Sequence, residues 1–111
     1  MILFFPAINS FGESSPIAEG RIEEVADEKS SGDTVFVYQN GSSIDVEFLT
    51  ENSNITVTIV SPKGVVVFCE VINTTAGMVY TIDVSNFVTG WYIIRIESKS
   101  GGKVTGSFYV D

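Results

Sequence analysis

Few residues in this sequence have the type and spacing that chemistry needs. There is no histidine and one cysteine, Cys69. That removes Ser–His and Cys–His nucleophile pairs, His-ligated metals and thiolate zinc sites. No glycine-rich loop has phosphate-binding spacing, and Gly101-Gly102 reads as a hairpin turn. Two carboxylate groupings remain. Asp45 and Glu47 share one strand face, as a pair hydrolysing glycosides would, but acids two apart on a strand ordinarily mark a solvated face. Glu23, Glu24, Asp27 and Glu28 offer the oxygen ligands that Ca²⁺ takes. Their spacing fits no EF-hand loop and no glycine anchors them, so a charged leader accounts for them. The expectation is a protein that is not an enzyme and holds no cofactor or metal.

Aromatic residues supply the remaining candidate site. If Tyr92, Ile94 and Ile96 point inward along a strand, alternation puts Trp91 and Ile93 on the other face, and Tyr109 likewise opposes Phe108. Trp91, Ile93 and Tyr109 then form a candidate binding surface for a protein or a glycan. Two other readings stand beside this one. The N-terminal segment folds back over the surface, or Trp91 is partly exposed and binds nothing. Sandwich edges offer a further route, by accepting a strand from a partner. Cys69 lies in the apolar run Val65-Val66-Val67-Phe68-Cys69 and reads as a small buried hydrophobe.

These residues must be positioned by strands. From residue 34 onward, apolar or alternating runs are separated by turn residues at regular intervals. Thr34–Tyr38 comes first, followed by Gln39-Asn40-Gly41-Ser42, where Asn-Gly signals a type I′ hairpin. Ser43–Thr50 alternates Ile44, Val46 and Phe48 with polar neighbours. Ile55, Val57 and Ile59 face the core, leaving Thr56 and Thr58 outside. Ser61-Pro62-Lys63-Gly64 fits a type I turn. Val65–Ile72 is apolar on both faces. Strands at Met78–Val84, Trp91–Ser98 and Val104–Val110 complete the set. The sequence predicts an all-β fold, an immunoglobulin-like β-sandwich of about seven antiparallel strands.

Charge is unevenly placed. The 111 residues carry a net charge of −8. Residues 1–51 hold ten acids and two bases, whereas residues 52–111 hold four of each. Such a chain repels nucleic acid and anionic lipid. Residues 1–12 open with the apolar run Met1-Ile2-Leu3-Phe4-Phe5, too short to span a bilayer. Small residues at Ser10 and Gly12 then mark a cleavage site after about Gly12, although no Lys or Arg precedes the run. This reads as the back half of a signal peptide, or as a segment that packs on the sandwich. The predicted layout is a signal remnant at 1–12, an acidic leader at 13–34 and the sandwich at 35–111. Within the leader, residues 21–27 suggest a short edge strand or one helical turn. A secreted, periplasmic or cell-envelope location follows, with no transmembrane segment.

One further pattern runs from Asn54 to Val110. It comprises Ile55-x-Val57-x-Ile59, Ser61-Pro62-Lys63-Gly64, Tyr80-x-Ile82-Asp83-Val84, Gly90-Trp91-Tyr92-x-Ile94-x-Ile96 and Gly106-Ser107-Phe108-x-Val110. This resembles the small secreted Bacteroides proteins grouped as domain of unknown function 3244. It is also similar to the C-terminal sorting domains of type IX secretion cargo, which follow a large cargo and tend to end in a basic tail. Here the chain closes on Phe108-Tyr109-Val110-Asp111, which favours the stand-alone family. The resemblance implies an immunoglobulin-like sandwich and a signal peptide, and it implies no activity. The matching residues are turn glycines and core hydrophobes, which carry structure. Two functions remain in view. One is an exported module that binds a protein or glycan at the cell envelope. The other is a structural or sorting-type module recognised by secretion machinery, with no ligand of its own.

Overall fold

The computed structural model describes residues 15–23 and 32–111. Eight strands run in the order β1 (Ala18–Gly20), β2 (Val35–Asn40), β3 (Ser43–Phe48), β4 (Asn52–Val60), β5 (Val66–Thr74), β6 (Met78–Asp83), β7 (Gly90–Glu97) and β8 (Lys103–Val110). They form two four-stranded sheets, β1-β2-β3-β6 and β5-β4-β7-β8, with every pairing antiparallel. We call these sheets A and B. The chain changes sheet between β3 and β4, β5 and β6, and β6 and β7, as in an immunoglobulin-like sandwich. Among the described residues, no helix is long and apolar enough to cross a membrane.

Alternation decides which side chains fill the space between the sheets. Ile44, Val46 and Phe48 of β3 are wholly buried, as are Ile55, Val57 and Ile59 of β4. Tyr92, Ile94 and Ile96 of β7 and Val104 and Phe108 of β8 complete the facing layer. Tyr92 stacks on Phe108 with ring centroids 5.6 Å apart. Its hydroxyl donates to the Val88 carbonyl at 2.6 Å. A tyrosine near the start of this strand, bonding back to backbone a few residues upstream, is a recurrent corner of such sandwiches.

The sandwich begins earlier in the sequence than residue 35. β1 pairs with β2, and Ile22 is wholly buried in the core. The strand lies at residues 18–20 rather than within 21–27, and residues 24–27 are outside the described residues. So is the signal-like segment at 1–12. Three glycines let residues 17–22 lie against β8. A Cβ on Gly106 would sit 2.6 Å from the Ala18 Cβ, and one on Gly20 would sit 2.9 Å from Val104 Cγ2. A Cβ on Gly102 would collide with the Ile22 backbone. Instead, the Ser98 hydroxyl donates to the Ile22 carbonyl at 2.5 Å.

Three local expectations are corrected. Asn40 pairs with Ser43, so Gly41 and Ser42 are the turn residues, and Gly41 alone of these has a positive φ, at 60°. Glycine in first place is the type II′ pattern rather than the Asn-Gly type I′ turn. Asn40 stays in the strand because its amide donates to Asp45 Oδ2 at 2.5 Å. Asp45, expected on a wet face, is buried, with Thr81 donating to Oδ1 at 2.6 Å. Cys69, expected inside, is exposed. The apolar run around it belongs to an edge strand, so Val66, Val67 and Val71 are exposed as well.

Candidate functional site

The outer face of sheet B is assembled from the parity of four strands. Because Ile55, Val57 and Ile59 turn inward, Thr56, Thr58 and Val60 turn outward. Strand register then sets out three cross-strand rows. Trp91 lies opposite Tyr109 at one end. The next row runs Val66, Val60, Ile93 and Ser107. Beyond it come Cys69, Thr58, Arg95 and Thr105.

Trp91 is 61% exposed, Ile93 43% and Tyr109 41%. The Trp91 and Tyr109 ring centroids are 5.4 Å apart with planes inclined at 59°. A cross-strand aromatic pair of this kind contributes about 0.5–1.5 kcal/mol beyond the area it buries. Tilted contact between the two rings limits the rotamers of both and so lowers the entropy lost when a partner lands on them. Trp91, Ile93 and Tyr109 therefore lie exposed on one face of sheet B. Pairing adds Val60 and Val66, which parity within single strands could not attach to it.

The described N-terminal residues do not cover this face. Ile17 and Ala18 meet Gly106, whose cross-strand partner is the buried Ile94. They therefore pack on the inward side of β8, opposite Trp91 and Tyr109.

The carboxylates serve the fold. Thr34 donates to Glu23 Oε1 at 2.6 Å, and Asn52 donates to Oε2 at 2.9 Å. The Thr50 hydroxyl also bonds Oε2. Burial raises the Glu23 pKa, but the bonds from Thr34, Thr50 and Asn52 outweigh it and lower the value to about 2. Glu24, Asp27 and Glu28, weighed with Glu23 as calcium ligands, lie outside the described residues. Among the described residues, no group of three His, Cys, Asp or Glu side chains could hold a metal ion. Asp45 has a donor on each oxygen, while Glu47 stands opposite Phe36. This arrangement ties Asp45 into the sheet.

One further carboxylate bridges the two sheets. Tyr80 of β6 donates to Glu70 Oε1 of β5 at 2.8 Å. Burial and then the Glu70 carboxylate push the Tyr80 phenol up to about 12. At one end of the sandwich, Gln39, Gly41, Val84, Val110 and Asp111 line a shallow cleft of about 290 Å³. It holds one ionisable side chain, that of Asp111, and offers no acid–base pair.

Residues 18–110 match the model of a protein family described as a domain of unknown function, DUF3244. The chain belongs to the DUF3244 family. A crystal structure of another DUF3244 family protein, from Bacteroides vulgatus, has an immunoglobulin-like β-sandwich fold. It is 24% identical and superposes with a TM-score of 0.65, covering 70% of this chain and 85% of that one. This likeness is one of fold. The search of curated protein sequences finds no match. The DUF3244 match starts at residue 18, where β1 starts, so the family's domain includes the strand that precedes β2.

Proposed function

We infer that this DUF3244 chain is a non-catalytic recognition module, exported to the cell envelope, which binds a protein or glycan through the outer face of sheet B. The observation that carries the reading is the exposed Trp91–Tyr109 pair, 5.4 Å between centroids, continuing into Ile93. Large aromatic and aliphatic side chains gathered on one solvent face lose water on contact with a partner, which favours binding. Arg95, half-buried between Thr58 and Thr105, adds a planar donor at the margin of the apolar area. The absence of histidine from the sequence supports the non-catalytic part.

Export rests on the signal-like residues 1–12, and N-terminal sequencing of the mature protein tests it. A mature chain that still begins at Met1 overturns that part. For binding, the test is a glycan array together with pull-down from an envelope extract, using the native protein and Trp91→Ala. Retention by the native protein and its loss in the variant is the expected outcome. A structural or sorting-type module makes the opposite forecast, in which native protein and variant behave alike.

A further inference from the structure

Charge is sorted between the two sheets. Among the described residues, the acids of the first half lie on β1 and β3 or in the loops beside β1 to β3. In residues 52–111 the four bases all belong to sheet B or to the turns that close it. Lys63 lies between β4 and β5, Arg95 on β7, Lys99 between β7 and β8, and Lys103 on β8. The four acids of that half are placed differently. Glu70 pairs with the buried Val57 and turns inward, where it accepts from Tyr80. Asp83 ends β6 in sheet A, and Asp111 lines the cleft at the sandwich end. Only Glu97 stands on the outer face of sheet B. A chain of net charge −8 therefore presents one face on which positive charge is in excess.

Arg95 is the uncompensated charge at the middle of that face. Glu97 stands opposite Lys103 in register, so those two offset each other. Arg95 has Thr58 on one side and Thr105 on the other, and neither can neutralise it. Among the described residues, no hydrogen bond or ion pair engages its guanidinium. Thr58 turns outward yet is only 8% exposed, and its partners in register are Cys69 and Arg95. A long side chain laid over it has its stem covered and its charged head free. Arg95 follows Trp91 by four positions on β7, which is about 13 Å at the rise of a strand. Ile93 and Ser107 occupy the row between them.

We propose that the ligand of this face is an acidic glycan, a uronate-bearing oligosaccharide with one ring packed on the Trp91–Tyr109 pair and a carboxylate held by Arg95. The proposal rests on the reading of the Trp91 face as a binding surface and names what that surface takes. The apolar face of a sugar ring packs on an aromatic ring, leaving its hydroxyls to bond sideways. The guanidinium fork matches a carboxylate with two parallel bonds. The distance from Trp91 to Arg95 exceeds one sugar ring, so the ligand is a chain rather than a single sugar. The acids on sheet A repel the same ligand and so favour its approach from the side of sheet B. An acidic peptide is served less well. Peptides bind by adding a strand to a sheet edge or by seating anchors in a pocket. The β5 edge is guarded by the inward-turned Glu70 and by the register shift next to Val60 and Val66. Residues 17–22 lie against β8, and the cleft lined by Gln39 and Val110 opens at the sandwich end, away from this face.

Calorimetric titration with galacturonate, glucuronate and mannuronate oligosaccharides, each beside its methyl ester, tests the charge without altering the protein. The full chain should bind at least one acidic oligosaccharide and hold its ester about 10- to 100-fold more weakly, the size of a lost charge-assisted bond. Arg95→Gln should lose a similar factor for the acidic chain with cooperative unfolding retained. The proposal is overturned if all three acidic chains are ignored, or if acid and ester bind alike. It is also overturned if Arg95→Gln binds as the native protein does, or if polyglutamate binds as tightly as the best glycan. Capture of an envelope protein through Trp91, with the uronates ignored, would overturn the acidic glycan and leave the binding surface standing. Uronate binding that survives Trp91→Ala would overturn both.

Discussion

Glu23 holds Asn52 at 2.9 Å, joining a residue three positions past the end of β1 to the first residue of β4 in the opposite sheet. The same carboxylate takes Thr34 at the start of β2 and Thr50 in the β3–β4 connection. One side chain thus fastens three stretches of chain, at residues 23, 34 and 50–52.

That arrangement has a pH signature. In the folded chain Glu23 titrates at about 2, against an ordinary 4.5. A depressed carboxyl pKa contributes stability that is complete above the unfolded value and is lost as pH falls through the folded one. Glu23→Gln should cost about 1–2 kcal/mol near neutrality, in line with charge-assisted bonds. The difference between native protein and variant should shrink between pH 4.5 and 2. Urea unfolding at several pH values measures this, and an equal difference at neutrality and at the acid end would refute it.

The glycines under residues 17–22 should be intolerant of side chains. Gly102→Ala and Gly106→Ala each drive a Cβ into backbone or into Ala18, and overpacking of this kind costs about 1–3 kcal/mol. Gly101→Ala is the control, since nothing lies within 4 Å of its Cβ and its φ of 103° exacts only backbone strain. Hydrogen exchange localises the effect. The amides of Ile17 and Thr34, bonded to Val37 and Gly20 carbonyls, should lose protection in the two clashing variants and keep it in the control.

Tyr92→Phe should cost about 0.5–1.5 kcal/mol, the size of one hydrogen bond. The ring would still stack on Phe108 and lean on Phe87 at 5.3 Å. Chemical unfolding with an unchanged denaturant slope is the expected pattern. A loss several times larger would mean that the corner governs more than one bond.

Trp91→Ala should lower stability by no more than about 1 kcal/mol, because the side chain is 61% exposed and loses chiefly its contact with Tyr109. Thermal unfolding of the variant decides whether the residue is free for a partner. A large fall in Tm would place it in the fold's own support.

Much of this molecule was legible because alternation is a local signal. Ile55, Val57 and Ile59 declare an inward face without reference to any other strand, and Trp91, Ile93 and Tyr109 follow by parity from their neighbours. β5 was misread because its apolar residues do not alternate. Only its place at the sheet edge exposes Cys69 and the valines around it, and strand order is a property of the whole chain. Residues 17–23 were opaque for a related reason. Their few apolar side chains look like a leader until Gly102 and Gly106, some eighty positions on, supply the groove. Asp45 followed the alternation of β3 yet is buried, since Asn40 and Thr81 close over it from the two neighbouring strands.

The bond between Ile22 and Ser98 also sets an order of events. These residues are 76 positions apart, and the groove that receives Ile17 and Ala18 is a face of the last strand. During synthesis, β1 can pair with β2 early, but the side chains of residues 17–22 that pack on β8 stay uncovered until β8 has emerged. The loop that must close is among the longest this chain permits, and closures of that kind slow folding. A chain passing N-terminus first through any narrow pore would therefore leave that flank of β1 open until β8 cleared it.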